Sequence, residues 1–173
     1  MSSEMTVFDR GCFLAGKGEY MAAIIAFLEA TKLEPQNPAP YKSLGDCLVR
    51  VGKCGQAIVA YKKALQFETN FVGIYTNLGA AYQELGDTEQ AVLAYGEVLK
   101  RAPNDKVALN NYGLILLSQN KLSQARQWFH KAIKSAPAWV NPQMNLGITL
   151  KLLGESELAE ESYLRVLSLD SNH

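Results

Sequence analysis

Residues 72–105, VGIYTNLGAAYQELGDTEQAVLAYGEVLKRAPND, carry the reading that decides the fold. Tyr75, Leu78, Gly79 and Tyr82 recur at helical spacing up to a turn at Gly86-Asp87. Ala91, Tyr95, Val98 and Leu99 then share one face of a second helix, which breaks at Pro103-Asn104. Asp87 and Gln90 have the spacing of a capping box at the start of that helix. The stretch predicts two antiparallel helices joined by a short turn.

The same pattern runs through the rest of the chain. Gly11, Gly45, Gly79, Gly113 and Gly147 are each 34 residues apart. So are Ala23, Ala57, Ala91, Ala125 and Ala159, and the aromatics Phe27, Tyr61, Tyr95, Phe129 and Tyr163. A period held without a gap means one supersecondary unit used five times. The units are 4–37, 38–71, 72–105, 106–139 and 140–173, after a tail of residues 1–3. One unit cannot bury its own apolar face, so residues 4–173 are expected to form a single domain. The glycine and alanine are small enough for the two helices to approach each other, with the large aromatic filling the space beside them. Gly18, Gly52, Gly86 and Gly154 fall at the turn between helices, and Asn120 takes that place in the fourth unit. Asparagine tolerates the left-handed backbone that such a turn favours.

With Tyr75, Leu78-Gly79, Tyr82, Gly86, Ala91, Tyr95 and Pro103 in phase, the chain resembles the tetratricopeptide repeat family. The resemblance covers residues 4–173. It implies an all-α fold, a right-handed α-solenoid of five antiparallel helix pairs whose first helices line a concave face. Departures are Arg10 where leucine is usual, Gln143 where an aromatic is usual, and Thr69 and Ser171 where proline is usual.

Composition excludes several functions. The 173 residues carry 17 basic and 17 acidic side chains and a formal charge of +0. No broad basic field is present for nucleic acid or an anionic membrane. No apolar run reaches the roughly 20 residues that a membrane span needs, and the start lacks the form of a signal peptide. Three cysteines without paired spacing fit a reducing compartment, so the cytoplasm is the expected location. Cys12 and Cys47 read as small buried hydrophobes, and Cys54, beside a turn, as an exposed thiol.

No motif assembles a catalytic or metal site. Gly11 to Gly18 nearly spells a phosphate-binding loop, but Gly18 replaces the hydroxyl and no strand precedes it. The only histidines, His130 and His173, have no ligand spacing around them. No cofactor and no enzymatic activity are expected.

The informative polar feature is a column of asparagines. Asn77, Asn111 and Asn145 fall on the period, each two residues before the packing glycine of a first helix. In the family the first helices face the groove, and asparagines there form a ladder in repeats resembling those of O-linked N-acetylglucosamine transferase. An amide offers a donor and an acceptor, matching a peptide backbone without reading its side chains. The competing readings are a residue kept from duplication and bonding between neighbouring units. Asn110, Leu114 and Ile148 lie beside the column in the C-terminal half, and Lys42 and Asp46 in the N-terminal half. Lys42 stands where co-chaperone repeats grip a terminal carboxylate, but Asp46, Asn77 and Val107 do not complete a basic cluster. The expected function is a noncatalytic scaffold that binds a partner peptide or protein segment in the groove. The alternatives are a substrate-recruiting domain of a larger enzyme, such as a glycosyltransferase, and a scaffold that self-assembles through its ends.

Overall fold

The computed structural model describes residues 5–170. The tail of residues 1–3, Ser171 and His173 lie outside the described residues. Among the described residues, ten α-helices and no strand are found. In chain order they are α1 (Val7–Gly16), α2 (Tyr20–Leu33), α3 (Pro38–Arg50), α4 (Cys54–Phe67), α5 (Val72–Glu84), α6 (Thr88–Arg101), α7 (Lys106–Ser118), α8 (Leu122–Ser135), α9 (Val140–Leu152) and α10 (Ser156–Asp170). The odd-numbered elements are the first helices of the five predicted units.

The chain divides into two compact units, one reaching to Ala91 and one beginning at Val92. In the first, α1 packs on α2, α2 on α3, α3 on α4 and α4 on α5, and the first helices α1, α3 and α5 meet in sequence. In the second, α7, α8, α9 and α10 repeat the arrangement, with α7 against α9. The second unit has a core of Leu116, Ala125, Phe129, Leu146, Leu150 and Ala159, with Leu114, Trp128 and Tyr163 packed around it.

Local chemistry sets the ends of the helices. Thr6 and Asp9 form a complete capping box at α1. Asn37 caps α3 through the N–H of Ala39, with Pro38 at the first helical position. Asp105 accepts the N–H of Ala108 at 2.8 Å to start α7. Asp87 accepts the N–H of Gln90 at 3.1 Å, which is the first half of the expected capping box. The turn glycines have φ between 73° and 81°, and Asn120 matches them at φ 58°. The near phosphate-binding loop is the second half of α1 and the turn that follows it, with Gly11 buried inside the helix.

Four of the periodic glycines refine the expectation. At Gly11, Gly45, Gly113 and Gly147 the atoms nearest the glycine belong to the aromatic ring rather than to the alanine. A Cβ at Gly11, Gly45, Gly113 or Gly147 would fall 2.5–2.6 Å from the ring of Phe27, Tyr61, Phe129 or Tyr163, respectively. An alanine is too short to span the gap between two helix backbones. The ring spans it, provided its partner has no side chain. The alanines pack beside it, fully buried at Ala23, Ala57 and Ala125.

The cysteines also differ. Cys12 is exposed, whereas Cys47 and Cys54 are buried. Cys54 is the first residue of α4 rather than part of the turn, which directs it under its own helix. Burial, followed by the nearby Asp46 and Cys12, pushes the Cys47 thiol up, away from the thiolate that a nucleophile needs.

Candidate partner-binding site

In the first unit, three side chains converge on one carboxylate. Lys42 and Asp46 sit one turn apart on α3, so Lys42 Nζ reaches Asp46 Oδ2 at 2.7 Å. Tyr61 of α4 donates its hydroxyl to Asp46 Oδ1 at 2.8 Å. Asn77 of α5 donates from Nδ2 to the same oxygen at 2.8 Å. The carboxylate therefore joins two successive first helices and the second helix between them. Lys42, Asp46 and Asn77 are each half-buried, while Tyr61 is only 1% exposed. A pocket of about 380 Å³ opens beside the cluster, lined by Asp46, Val49, Arg50, Tyr61, Asn77 and Ala80.

In the second unit the same positions carry different chemistry. Asn111 of α7 donates from Nδ2 to the Tyr95 hydroxyl at 3.0 Å. Asn145 of α9 donates from Nδ2 to Asn110 Oδ1 at 2.9 Å. Asn110 in turn donates to Asn111 Oδ1 at 3.2 Å. The difference follows from the aromatic column. Each asparagine lies 16 residues after an aromatic: Tyr61 before Asn77, Tyr95 before Asn111, Phe129 before Asn145. Phe129 has no hydroxyl, so Asn145 turns to Asn110.

The structure thus gathers the expected site residues into two groups, Lys42, Asp46 and Asn77 in one unit and Asn110, Asn111 and Asn145 in the other. Asn110 is only 4% exposed and spends its amide on its two neighbours, so it positions them from below. Leu114 is half-buried against the core, and Ile148 is 40% exposed next to Asn145. Asn77 also donates towards the Tyr61 hydroxyl, whereas, among the described residues, Asn145 keeps its carbonyl oxygen and one N–H without a protein partner. The residues missed by sequence reasoning are Tyr61 and Tyr95, read only as space-filling rings. The signal was that tyrosine holds positions 61 and 95 of a column where phenylalanine fills the same place at 27 and 129.

Burial pushes both phenols up, Tyr95 to about 12, with Asn111 partly opposing the shift by donating to it. For Tyr61, burial comes first, then the negative Asp46. A folded-state value above the unfolded one means that stability is complete below the unfolded value, about 10, and is lost as the pH rises beyond it. Each phenol should remove about 1.4 kcal/mol of stability per pH unit between pH 10 and about 12. Urea titrations across that range should show the loss, and Tyr95→Phe should flatten it.

Among the described residues, no three His, Cys, Asp or Glu side chains come together as a metal site. Among them, too, no helix is long and apolar enough to cross a membrane.

Stacked two-helix hairpins, with side-chain bonds running from one hairpin to the next, define a helical repeat protein. Family models described as tetratricopeptide repeats match residues 76–138 and 141–173, and one described as a TPR repeat matches residues 45–86. The chain belongs to the tetratricopeptide repeat family. No curated protein sequence matches it. Its fold is similar to that of MamA residues 41–end from Desulfovibrio magneticus RS-1, at 19% identity and a TM-score of 0.89, covering 100% of this chain and 99% of that one. YrrB, described as a TPR protein with an unusual peptide-binding site, aligns at 19% identity and a TM-score of 0.77, covering 96% and 86% of the two chains. A tetratricopeptide repeat protein from Parabacteroides merdae aligns at 27% identity and a TM-score of 0.83, covering 94% of this chain and 64% of that one. These likenesses place the fold in the helical solenoid class.

Proposed function

We propose that the protein is a noncatalytic interaction scaffold that holds an extended segment of a partner protein on the faces of its first helices. One observation carries the reading: Asn145 is pinned through one N–H and keeps its other N–H and its carbonyl oxygen unbonded among the described residues, and Asn77, pinned by Asp46 and Tyr61, keeps its carbonyl oxygen. A pinned amide has already lost its rotamer freedom, so a bound peptide backbone gains its hydrogen bonds at little further entropic cost. Leu114 and Ile148 supply apolar contact in the second unit, and the pocket at Asp46, Val49, Arg50 and Ala80 supplies mixed contact in the first. The similarity in fold to YrrB, with its peptide-binding site, supports this reading. Unpaired cysteines agree with a cytoplasmic setting.

The test is selection of binders to the intact chain from a random peptide-display library. The selected peptides should shift the side-chain amide resonances of Asn77, Asn111 and Asn145. Asn145→Ala and Asn77→Ala, each with helicity retained, should weaken their binding by about tenfold, as expected for losing one to two hydrogen bonds. Peptides that bind both variants as well as the parent would refute the proposal.

A further inference from the structure

On the second helices, away from the asparagines, lies a feature that peptide capture by the first helices does not use. A groove of about 540 Å³ runs between α2 and α4, floored by α3. Ile24 and Leu28 form one wall, Val59 and Ala60 the other, and Leu44 and Leu48 the floor. The second unit has the equivalent groove between α8 and α10, floored by α9. There the four wall positions are Arg126, His130, Glu161 and Ser162. The repeat fold therefore does not require this wall to be apolar. Val59 nonetheless stands 69% exposed, with Met21 and Ile25 exposed nearby. Towards the C-terminal end of α4 the groove turns basic. Lys62 lies 5.5 Å over the Tyr82 ring, and Lys63 donates to Gln66 at 2.9 Å.

α10 carries the complementary surface. Glu157, Glu160, Leu164 and Leu167 follow one another at spacings of three, four and three, which aligns them in one stripe. All four are exposed, Leu164 at 58% and Leu167 at 64%. The acidic half precedes the apolar half, whereas along α4 apolar Val59 precedes the lysines. An antiparallel docking sets leucine against Ile24, Leu28 and Val59, and glutamate against Lys62 and Lys63. The spacing agrees: four residues separate Val59 from Lys63 and Glu160 from Leu164, a rise of about 6 Å on each helix.

We propose that α10 of a second copy of this chain lies antiparallel in the α2–α4 groove. The apolar contact supplies affinity, and the charges select direction and partner. Because groove and stripe are different surfaces, the contact is head-to-tail and can propagate from copy to copy.

Sedimentation velocity over a concentration series of the full chain tests this. The average mass should rise with concentration. Val59→Glu and Leu167→Glu, both at exposed positions, should each weaken association at least tenfold while leaving helicity unchanged. Each variant keeps one intact surface, so an equal mixture of the two should pair as a dimer and grow no further. A chain that stays monomeric throughout the series overturns the proposal and leaves the groove to a segment of another protein. Association that survives Val59→Glu, or a mixture that fails to pair, overturns it equally.

Discussion

Gly45→Leu is expected to unfold the first unit, and even Gly45→Ala should cost about 2 kcal/mol, in the usual range for overpacking a core. A Cβ at this position falls 2.5 Å from Tyr61 Cε1 and 2.7 Å from Cδ1. The ring has no room to withdraw. It is 1% exposed, and its hydroxyl is held by Asp46 at 2.8 Å. Leucine adds three more carbons to the clash, and the loss should exceed about 4 kcal/mol, a size seen only when a core contact is broken outright. Gly96 in α6 is the control, because a Cβ there meets nothing within 4 Å. Gly96→Ala should gain about 1 kcal/mol from helix propensity alone. Urea unfolding followed by far-UV circular dichroism measures both. Equal stability of Gly45→Ala and the parent would refute the packing argument.

The period of 34 made the hairpin legible because it is a constraint of contact. A glycine under a ring and a left-handed turn leave few residue choices, so each copy retains them. Asn120 was readable for the same reason, since its φ of 58° admits little else. What lay on the glycine was not legible: spacing along the chain does not say whether the alanine or the ring crosses to the other helix. The asparagine column could be read, but its bonds could not. Asn77 reaches back 31 residues to Asp46, and Asn145 reaches back 35 to Asn110. These offsets lie close to the period but differ from each other, so no fixed register announces them. The burial of Cys54 depended on where α4 begins, and helix ends are the least certain part of a sequence reading.

Asp46→Ala should cost about 3 kcal/mol, and how that cost divides is the informative part. Lys42 is half-buried and returns to water, so its ion pair contributes little. Tyr61 is different, because its buried hydroxyl loses its acceptor and bears the full penalty of an unsatisfied group. In a Tyr61→Phe background, Asp46→Ala should therefore cost only about 1 kcal/mol, the difference being the coupling that a double-mutant cycle reads. Two repeats on, the chain already holds a version without the acid. There Lys42, Asp46, Tyr61 and Asn77 are matched by Asn110, Leu114, Phe129 and Asn145. The hydroxyl and the carboxylate are both gone, and the asparagine bonds to Asn110 instead. Replacing both partners of a buried bond by apolar groups can be nearly neutral, whereas removing one is not. The triple variant Lys42→Asn, Asp46→Leu, Tyr61→Phe should thus unfold within about 1 kcal/mol of the parent, although Asp46→Ala alone does not. If the triple variant is no more stable than Asp46→Ala, the two joints are not interchangeable solutions to one packing problem, and the carboxylate has a role that the hydrogen bonds do not account for.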